Sequence, residues 1–215
     1  FNAFVDPAIT SIGDEAFSNC HNLVTMSIHI GVTTIGNKAF SYCDQLSNLF
    51  FGTNLNAVGL SKLETIGDYA FEGCSMKQIL LPPNVSSIGR WCFYNSQKLS
   101  NIIFFRGSKI DTIEDYCFAN CSNLTSFKFP SSVTVIGDAA FRNCSSLERL
   151  MLPPTLVSIG EDAFKSCTYI SSARLPSTVN YIGKDAFANT PVSMTPTEAD
   201  PPSGLAVVPY HDKVN

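Results

Sequence analysis

Histidine, positive charge and long apolar runs are all scarce in this sequence. Its 215 residues include three histidines and only 15% charged residues, with eighteen acids, fourteen bases and a formal net charge of −4. The lysines and arginines are scattered, which argues against a nucleic-acid partner. No run of about eighteen apolar residues occurs, so the sequence predicts no membrane-spanning helix. The first residues lack a basic stretch followed by an apolar one, so targeting cannot be read from them.

The same scarcity argues against most enzyme chemistry. The candidate histidine bases are His21, His29 and His211, and no short-spaced cluster of cysteines and histidines suggests a metal site. Catalysis by a Ser-His or Cys-His pair also needs a cleft, which the sequence does not indicate. The glycines belong to turns and form no phosphate-binding loop. We therefore expect a protein without catalytic residues, metal ions or cofactors.

What the sequence does contain is a nine-residue motif that occurs eight times. Its first copy is IGDEAFSNC at residues 12–20, and the copies begin at Ile12, Ile35, Ile66, Ile88, Ile113, Ile136, Ile159 and Ile182. Successive copies start 23, 31, 22, 25, 23, 23 and 23 residues apart. A period near 23 residues predicts a solenoid in which each repeat is one coil stacked on its neighbours. With 45% apolar residues, the chain can bury a core along the stack.

The second half of each repeat has the spacing L-x-x-L-x-L, as in LERLMLPPTLVSIG from Leu147 to Gly160. The alternating apolar positions predict a short strand with one buried face. Proline at positions 82, 130, 153 and 176 ends this strand, because proline cannot donate to a ladder. Since the coils are related by translation, the strands should stack in parallel, about 4.8 Å apart, as one wall of the solenoid.

The nine-residue motif should build the opposite wall. Asp14, Asp68 and Asp138 follow a glycine and are suited to cap a short helical turn. A phenylalanine occupies the same position in all eight copies: Phe17, Phe40, Phe71, Phe93, Phe118, Phe141, Phe164 and Phe187. We expect these rings to form a stacked aromatic spine in the core, because one position takes half of the sixteen phenylalanines.

The full pattern, L-x-x-I-x-L-P-x-x-V-x-x-I-G-x-x-A-F-x-x-C, runs almost unbroken from Leu124 to Cys167 and resembles the BspA-like leucine-rich repeats. The resemblance covers about residues 3–192, and the cysteine-containing form is similar to protozoan members such as trichomonad surface proteins. It implies an α/β solenoid, a leucine-rich-repeat arc of about eight coils of ~23 residues. The sheet would be parallel and concave, with short helical turns on the convex side.

The resemblance also implies a function. Such proteins are displayed on a cell surface or secreted and act in adhesion and protein binding. The expected partner is a protein, such as a host extracellular-matrix or cell-surface protein. The alternative from the sequence is a structural or scaffolding repeat protein in the cytoplasm.

Eight cysteines in an apparently extracellular protein invite disulfides. Six of them share the last motif position: Cys20, Cys43, Cys74, Cys121, Cys144 and Cys167. Ser96 and Thr190 occupy the same position in the other two copies, so it favours a small, weakly polar side chain facing backbone groups, as a buried thiol does. Stacked thiols would nevertheless be close enough to oxidise, which leaves Cys20–Cys43 and Cys144–Cys167 open as disulfides.

A candidate binding surface follows from the strand pattern. The residue between the two buried positions of each strand should point outward: Phe4, Ser27, Phe50, Leu80, Ile103, Lys128, Met151 and Arg174. We predict an apolar partner-binding patch of Phe50, Leu80, Ile103 and Phe105. A basic end with Lys128, Arg149, Met151 and Arg174 should flank it.

Two other interpretations of this patch stay open. An insertion near residues 52–63 carries Leu55, Val58 and Leu60 and could fold back over the patch, as could the C-terminal tail. The patch could also be an oligomer contact. Mutation of Ile103 and Phe105 would separate internal cover from a free surface.

The repeat sets the expected domain limits. The solenoid should span residues 1–192, and residues 193–215 form a proline-rich tail, either a disordered linker or a cap using Leu205, Val207, Val208 and Tyr210. The first coil begins part-way through its strand, with Ala3 and Val5 at the two inward positions. We expect missing upstream sequence, or self-association through the exposed solenoid end.

Overall fold

The computed structural model describes residues 1–52 and 55–195 and shows eight coils of short strands and turns. Each coil begins with a long strand of three or four residues, and a ninth long strand follows the last coil: β1 (Asn2–Phe4), β3 (Thr25–Ile28), β5 (Asn48–Phe51), β7 (Gln78–Leu81), β9 (Asn101–Phe104), β11 (Ser126–Lys128), β13 (Arg149–Met151), β15 (Ser172–Arg174) and β17 (Ser193–Thr195). A two-residue strand follows in each coil: β2 (Ser11–Ile12), β4 (Thr34–Ile35), β6 (Thr65–Ile66), β8 (Ser87–Ile88), β10 (Thr112–Ile113), β12 (Val135–Ile136), β14 (Ser158–Ile159) and β16 (Tyr181–Ile182).

Strands of successive coils pair in parallel, so equivalent residues lie side by side. Ile12 is opposite Ile35, for example, and Met26 is opposite Leu49. The long strands form three hydrogen-bonded groups, β1-β3-β5, β7-β9 and β11-β13-β15-β17. The short strands form two groups, β2-β4-β6-β8 and β10-β12-β14-β16. The predicted parallel wall is confirmed, and a second, narrower wall of short strands accompanies it.

The core lies between these walls. Alternate residues of the long strands point inward, as Met26 and Ile28 do in β3, and both are buried. The motif isoleucines of the short strands, such as Ile35, close the second side. We call the outer surface of the long strands, predicted above to be concave, the long-strand face.

The phenylalanine spine is confirmed. The eight rings stack in seven consecutive pairs with centroid separations of 5.1 to 5.5 Å, and their planes are within 17° of parallel. The six interior rings are completely buried, whereas Phe17 and Phe187 at the two ends are half-buried. One aromatic ring per coil therefore fills the centre of the solenoid along its length.

The third side of each coil is a turn wall, made of residues 14–19 in the first coil and their equivalents in the other seven. The backbone N–H groups of Glu15, Phe17 and Asn19 each donate a 2.8 Å hydrogen bond to a carbonyl of the second coil. The same three bonds recur at every step from the first coil to the eighth. The turn wall is therefore hydrogen-bonded between coils without a break.

The predicted short helical turns are wrong. The only helix among residues 1–52 and 55–195 is the 3-10 helix Leu55–Leu60, which lies in the insertion. In the turn wall, Glu15 and Asn19 have φ angles of 56° and 59°, and equivalent residues of the other coils share this left-handed conformation. A helix would point its N–H groups along its own chain, whereas these alternating conformations point them at the next coil.

The acids after the motif glycine have a different role from helix capping. Oδ1 of Asp14 accepts a 2.7 Å hydrogen bond from the backbone N–H of Asn37 in the next coil. Asn37 accepts in the same way from Asp68, as Asp138 does from Glu161. The coils approach so closely here that a Cβ atom on Gly36 would lie 2.6 Å from the backbone nitrogen of Asp14. Glycine is required because a side chain would collide with the preceding coil.

At one step between coils, both the position of the acid and the position of the glycine hold a different residue. Arg90 stands where five of the other seven coils have Asp or Asn, and Glu114 stands where all seven have Gly. The Nε atom of Arg90 lies 3.8 Å from Oε2 of Glu114 and 3.5 Å from Oδ2 of Asp115. The ladder of short strands is interrupted at this step, between β8 and β10. An ion pair replaces the close backbone approach seen at the other steps.

Candidate functional site

The outward residues of the long strands form a central column on the long-strand face. The register places Phe4, Ser27 and Phe50 side by side, and Leu80 beside Ile103. Further along, Lys128 is opposite Met151, and Arg174 is opposite Thr195. Within each hydrogen-bonded group the outward residues are aligned, because the two-residue period of a strand and the translation between coils fix their positions.

The predicted patch residues are accessible to different degrees. Phe50 is 38% exposed, Ile103 is 41% exposed and Phe105 is 37% exposed, while Leu80 is half-buried between its neighbours. These fractions are high for large apolar side chains in consecutive coils. Phe4, at the end of the column in the first coil, is 77% exposed. Phe50, Ile103 and Phe105 are therefore accessible on the long-strand face, and Leu80 lies beside Ile103.

The insertion borders this patch without covering it. Val58 in the 3-10 helix is buried, whereas Leu60 is exposed, and the side chain of Leu55 lies outside the described residues. The backbone of Gly59 passes close to Phe105, since a Cβ atom placed on Gly59 would lie 3.5 Å from Cζ of that ring. The described part of the insertion therefore flanks Phe105, while Phe50 and Ile103 remain exposed.

The basic residues lie at the other end of the face. Lys128, Arg149 and Arg174 are exposed on β11, β13 and β15, and Met151 beside them is 76% exposed. All three cations come from neighbouring coils. The long-strand face therefore changes from apolar to basic toward β17. The predicted tail cap, with Leu205, Val207, Val208 and Tyr210, lies outside the described residues.

A second column was missed in the sequence. The residues two positions before the central column are aligned along the face and are mostly amides and hydroxyls: Asn2, Thr25, Asn48, Gln78, Asn101, Ser126, Arg149 and Ser172. The sequence contained the signal for this column, because polar residues recur at this position with the same period as the residues of the central column. A polar column beside an apolar one provides hydrogen-bonding groups along the whole face.

The cysteines have the structural role predicted from Ser96. Sγ of Cys43 donates to the carbonyl of Phe17 in the preceding coil at 3.0 Å, and Cys144 donates in the same way to Phe118 at 3.1 Å. Oγ of Ser96 makes the equivalent bond to Phe71 at 2.8 Å. All eight cysteines are free thiols, so the disulfides left open above, Cys20–Cys43 and Cys144–Cys167, are not formed.

Burial suppresses the reactivity of these thiols. Desolvation raises the pKa of Cys121 to about 12 and that of Cys167 to about 12, with only partial compensation by backbone hydrogen bonds. Cys92 and Cys117, which replace the alanine before the spine phenylalanine, also have raised pKa values because they are buried. A catalytic thiol needs a lowered pKa and access to solvent. The thiols are therefore suited to packing rather than to nucleophilic attack.

The histidines lie apart from the thiols and from the long-strand patch. His21 and Asp44 are exposed and approach to 3.4 Å, and Nδ1 of His29 accepts a 3.1 Å hydrogen bond from the backbone of Gly31. His211 lies outside the described residues. Within residues 1–52 and 55–195, no group of three or more His, Cys, Asp or Glu side chains is placed to hold a metal ion. The helical segment in this same part of the chain is not long and apolar enough to cross a membrane.

The turn wall carries a second aromatic stack that the sequence analysis missed. Tyr69, Trp91 and Tyr116 stack with centroids 5.0 and 5.2 Å apart, and Nζ of Lys38 lies 5.8 Å from the Tyr69 centroid. The three aromatic residues have φ angles of 53° to 56°, a conformation that bulky residues rarely adopt. The sequence signal for this stack was that the three aromatic residues occupy the same motif position in successive coils. Both faces of the Trp91 ring are therefore covered by its two neighbours.

The solenoid end at the first coil has a shallow concavity of about 340 Å³. It is lined by Phe1, Ala3, Phe17, Cys20 and Leu23, among others. Phe17 is half-buried here, whereas the equivalent Phe40 is completely buried by the coils on both sides. Self-association through this end stays a prediction.

Solved structures share this fold. A leucine-rich repeat protein from Bacteroides ovatus is 22% identical, with a TM-score of 0.66 over 95% of this chain and 62% of its own. The pneumococcal vaccine antigen PcpA is 22% identical, with a TM-score of 0.65 over 91% of this chain and 60% of its own. A leucine-rich cell surface protein from Faecalibacterium prausnitzii is 23% identical, with a TM-score of 0.51 over 91% of this chain and 66% of its own. The chain thus spans less than two thirds of the length of the first two proteins.

The sequence itself identifies the family. No curated protein is similar enough in sequence to count as a relative. The family model described as "BspA type Leucine rich repeat region" matches in six copies, over residues 3–63, 47–145 and 105–198. These matches span nearly all the coils described above, including the insertion and the spine. The chain belongs to the BspA-type leucine-rich repeat family.

Proposed function

We propose that this protein is a non-catalytic protein-binding module, displayed on a cell surface or secreted, that acts as an adhesin. Its ligand is a host or matrix protein, and its binding surface is the long-strand face. The observation that carries this proposal is the exposure of large apolar side chains in the central column, where Phe50 lies beside Ser27 and Leu80 lies beside Ile103.

The composition of the face supports protein binding. Binding sites between proteins combine an apolar centre with a polar rim, and aromatic and arginine side chains supply much of the affinity. Here the apolar centre includes Phe50, Ile103 and Phe105, with exposed fractions between 37% and 41%. The second, polar column runs along one side of this apolar centre, and Arg149 and Arg174 are at one end of the face. Each element of such a site is present on the long-strand face.

The chemistry of the other residues supports a role without catalysis. Seven of the eight thiols are buried, and desolvation raises their pKa values. The buried carboxylate of Glu72 accepts hydrogen bonds from Ser41 at 3.0 Å and from Tyr42 at 2.7 Å. These contacts join turn-wall residues of neighbouring coils. The potentially reactive groups are thus engaged in stabilising the solenoid.

The named neighbours support a surface location. PcpA is described as a vaccine antigen and the Faecalibacterium protein as a cell surface protein. Each shares the fold with this chain at low sequence identity. Surface display would expose the long-strand face to proteins outside the cell.

The experiment is binding of the purified protein to an array of matrix proteins and to intact cells. The test variant is Phe50→Ser/Ile103→Ser, and the matched control is Val157→Ser, an apolar residue that is 37% exposed beside the short strand β14. We expect saturable binding that the test variant weakens at least ~10-fold, which corresponds to about 1.4 kcal/mol. The control should bind like the unchanged protein, and circular dichroism should show that all three are folded.

Two results would contradict the proposal. One is the absence of binding to any array protein or cell, in which case capture of cytosolic partners would test the scaffolding alternative. The other is binding that Phe50→Ser/Ile103→Ser leaves unchanged, which would move the binding surface away from the central column.

A further inference from the structure

The chain reaches the edge of the long-strand face at a defined point. Strand β17 pairs in parallel with β15, and Thr195 lies opposite Arg174 in the central column. Beyond Thr195 the sequence continues for twenty residues, PTEADPPSGLAVVPYHDKVN. These residues therefore start at the basic end of the face that carries the apolar patch.

The order of charged and apolar residues in this segment matches the order of charged and apolar residues along the face. Counting from Thr195 toward the first coil, the central column reads Arg174, Met151, Lys128, Ile103 and Leu80. The two cations are among the first three residues, with Met151 between them, and Ile103 and Leu80 follow. Counting forward from Thr195, the sequence has the acids Glu198 and Asp200, and then the apolar residues Leu205, Val207, Val208 and Tyr210. Acids would thus meet cations, and apolar residues would meet apolar residues.

The distances also agree. Neighbouring parallel strands are about 4.8 Å apart, which puts Lys128 about 14 Å and Leu80 about 24 Å from Thr195 along the column. An extended chain covers about 3.3 Å per residue, so Asp200 can reach about 17 Å and Leu205 about 33 Å from Thr195. Asp200 can therefore reach Lys128. The length before Leu205 is therefore sufficient for it to reach Leu80.

We infer that residues 205–210 bind in cis to the apolar patch of the same molecule, and that Glu198 and Asp200 pair with the basic end of the face. The two sites are joined through a short connection, which gives an effective concentration in the millimolar range. A contact with a dissociation constant of about 0.1 mM would then be occupied most of the time. The segment acts as a built-in competitor for any ligand of this face. This inference goes beyond the proposed function, because it requires no outside partner.

The test is photo-crosslinking in the full chain. The photoreactive amino acid p-benzoylphenylalanine replaces Ile103 on the long-strand face or, as the matched control, Ser87 in the short strand β8, which is also exposed. After illumination and proteolysis, mass spectrometry identifies the peptide attached to each position. We expect position 103 to join residues 205–210, with a yield that stays constant over a ~100-fold dilution because the contact is intramolecular. Position 87 should not join this segment.

Charge reversal provides the second measurement. Glu198→Lys/Asp200→Lys should lower the crosslink yield at position 103 several-fold at low salt, since it places like charges beside Lys128 and Arg174. Raising the ionic strength from about 0.1 M to about 1 M, which shortens the screening length from about 10 Å to about 3 Å, should reduce this difference.

Three outcomes would overturn the inference: no crosslink between position 103 and residues 205–210, a crosslink that disappears on dilution, or an equal yield from position 87. A crosslink lost on dilution would instead assign the segment to a second copy of the chain. None of these results depends on binding to matrix proteins or cells, so failure of this inference and failure of the proposed function are distinguishable.

Discussion

The side chains of Arg90 and Glu114 face each other across one step of the solenoid, with Nε of Arg90 3.8 Å from Oε2 of Glu114. At most other steps the corresponding positions hold an Asp or Asn and a Gly, and the backbones are in close contact there. The two replacements occur at the one step where the short-strand ladder is interrupted, so the side chain of Glu114 does not meet the close backbone approach that requires Gly elsewhere.

This relationship predicts a strong coupling between the two positions. Arg90→Asp alone should destabilise the protein by about 1–3 kcal/mol, because the new carboxylate would crowd and repel Glu114. The double variant Arg90→Asp/Glu114→Gly should recover most of this loss, since it restores the arrangement of Asp68 and Gly89. Urea unfolding of the four proteins gives the coupling energy, which we expect to be about 0.5–3 kcal/mol. Additive effects of the two substitutions would contradict the interpretation.

The last motif position should accept a hydroxyl better than an apolar side chain. In Cys144→Ser, the hydroxyl can still donate to the carbonyl of Phe118, as Ser96 does to Phe71. We expect this variant to lose no more than about 1 kcal/mol. Cys144→Val removes the second donor to this carbonyl, which keeps the backbone N–H of Cys121, and should cost about 0.5–1.5 kcal/mol through the lost hydrogen bond. Thermal or urea unfolding in the presence of a reductant compares the two, and a more stable valine variant would show that the hydrogen bond is unimportant.

Stability should fall as the pH rises above about 8.5, the ordinary pKa of a thiol. Burial raises the pKa of Cys121 and of Cys167 to about 12 in the folded protein. Between these values the unfolded chain loses protons that the folded chain keeps, so the free energy of unfolding decreases with rising pH. The slope is up to about 1.4 kcal/mol per pH unit for each such thiol.

Guanidinium unfolding with a reductant at pH ~7.5 and ~9.5 measures this slope. Cys121→Ser is the matched variant, because its hydroxyl can replace the thiol donor without titrating in this range. It should lose less stability than the unchanged protein over the same interval. An equal loss in both proteins would mean that Cys121 ionises normally in the folded state.

The repeat allowed much of the architecture to be predicted. Once the motif phenylalanines were aligned, a stacked spine followed, because translation between coils places Phe118 on Phe141 and Phe141 on Phe164. The outward position of Phe50, Leu80 and Ile103 followed from strand alternation. Both arguments depend on a regular period, and most coils keep it.

The turn wall and the insertion could not be predicted by the same argument. A six-residue turn is too short for helical periodicity to be distinguished from alternating right- and left-handed residues. The sequence signal for the left-handed residues was the occurrence of Asn19, Gly73 and Asn95 at one motif position, since Asn and Gly tolerate positive φ. The insertion has no repeated copy to compare, so the contact between its Gly59 and Phe105 became visible only in three dimensions.

The unbroken turn wall has a consequence for how such a protein can diversify. The long-strand sheet is interrupted beside the coil that carries the insertion, yet the three turn-wall bonds at each step are retained. The constant part of each coil is therefore the nine-residue motif, and the remainder can vary in length. Mutation can add loops to one side of this frame while the other side preserves the stacking, so new recognition surfaces can arise without the invention of a new fold.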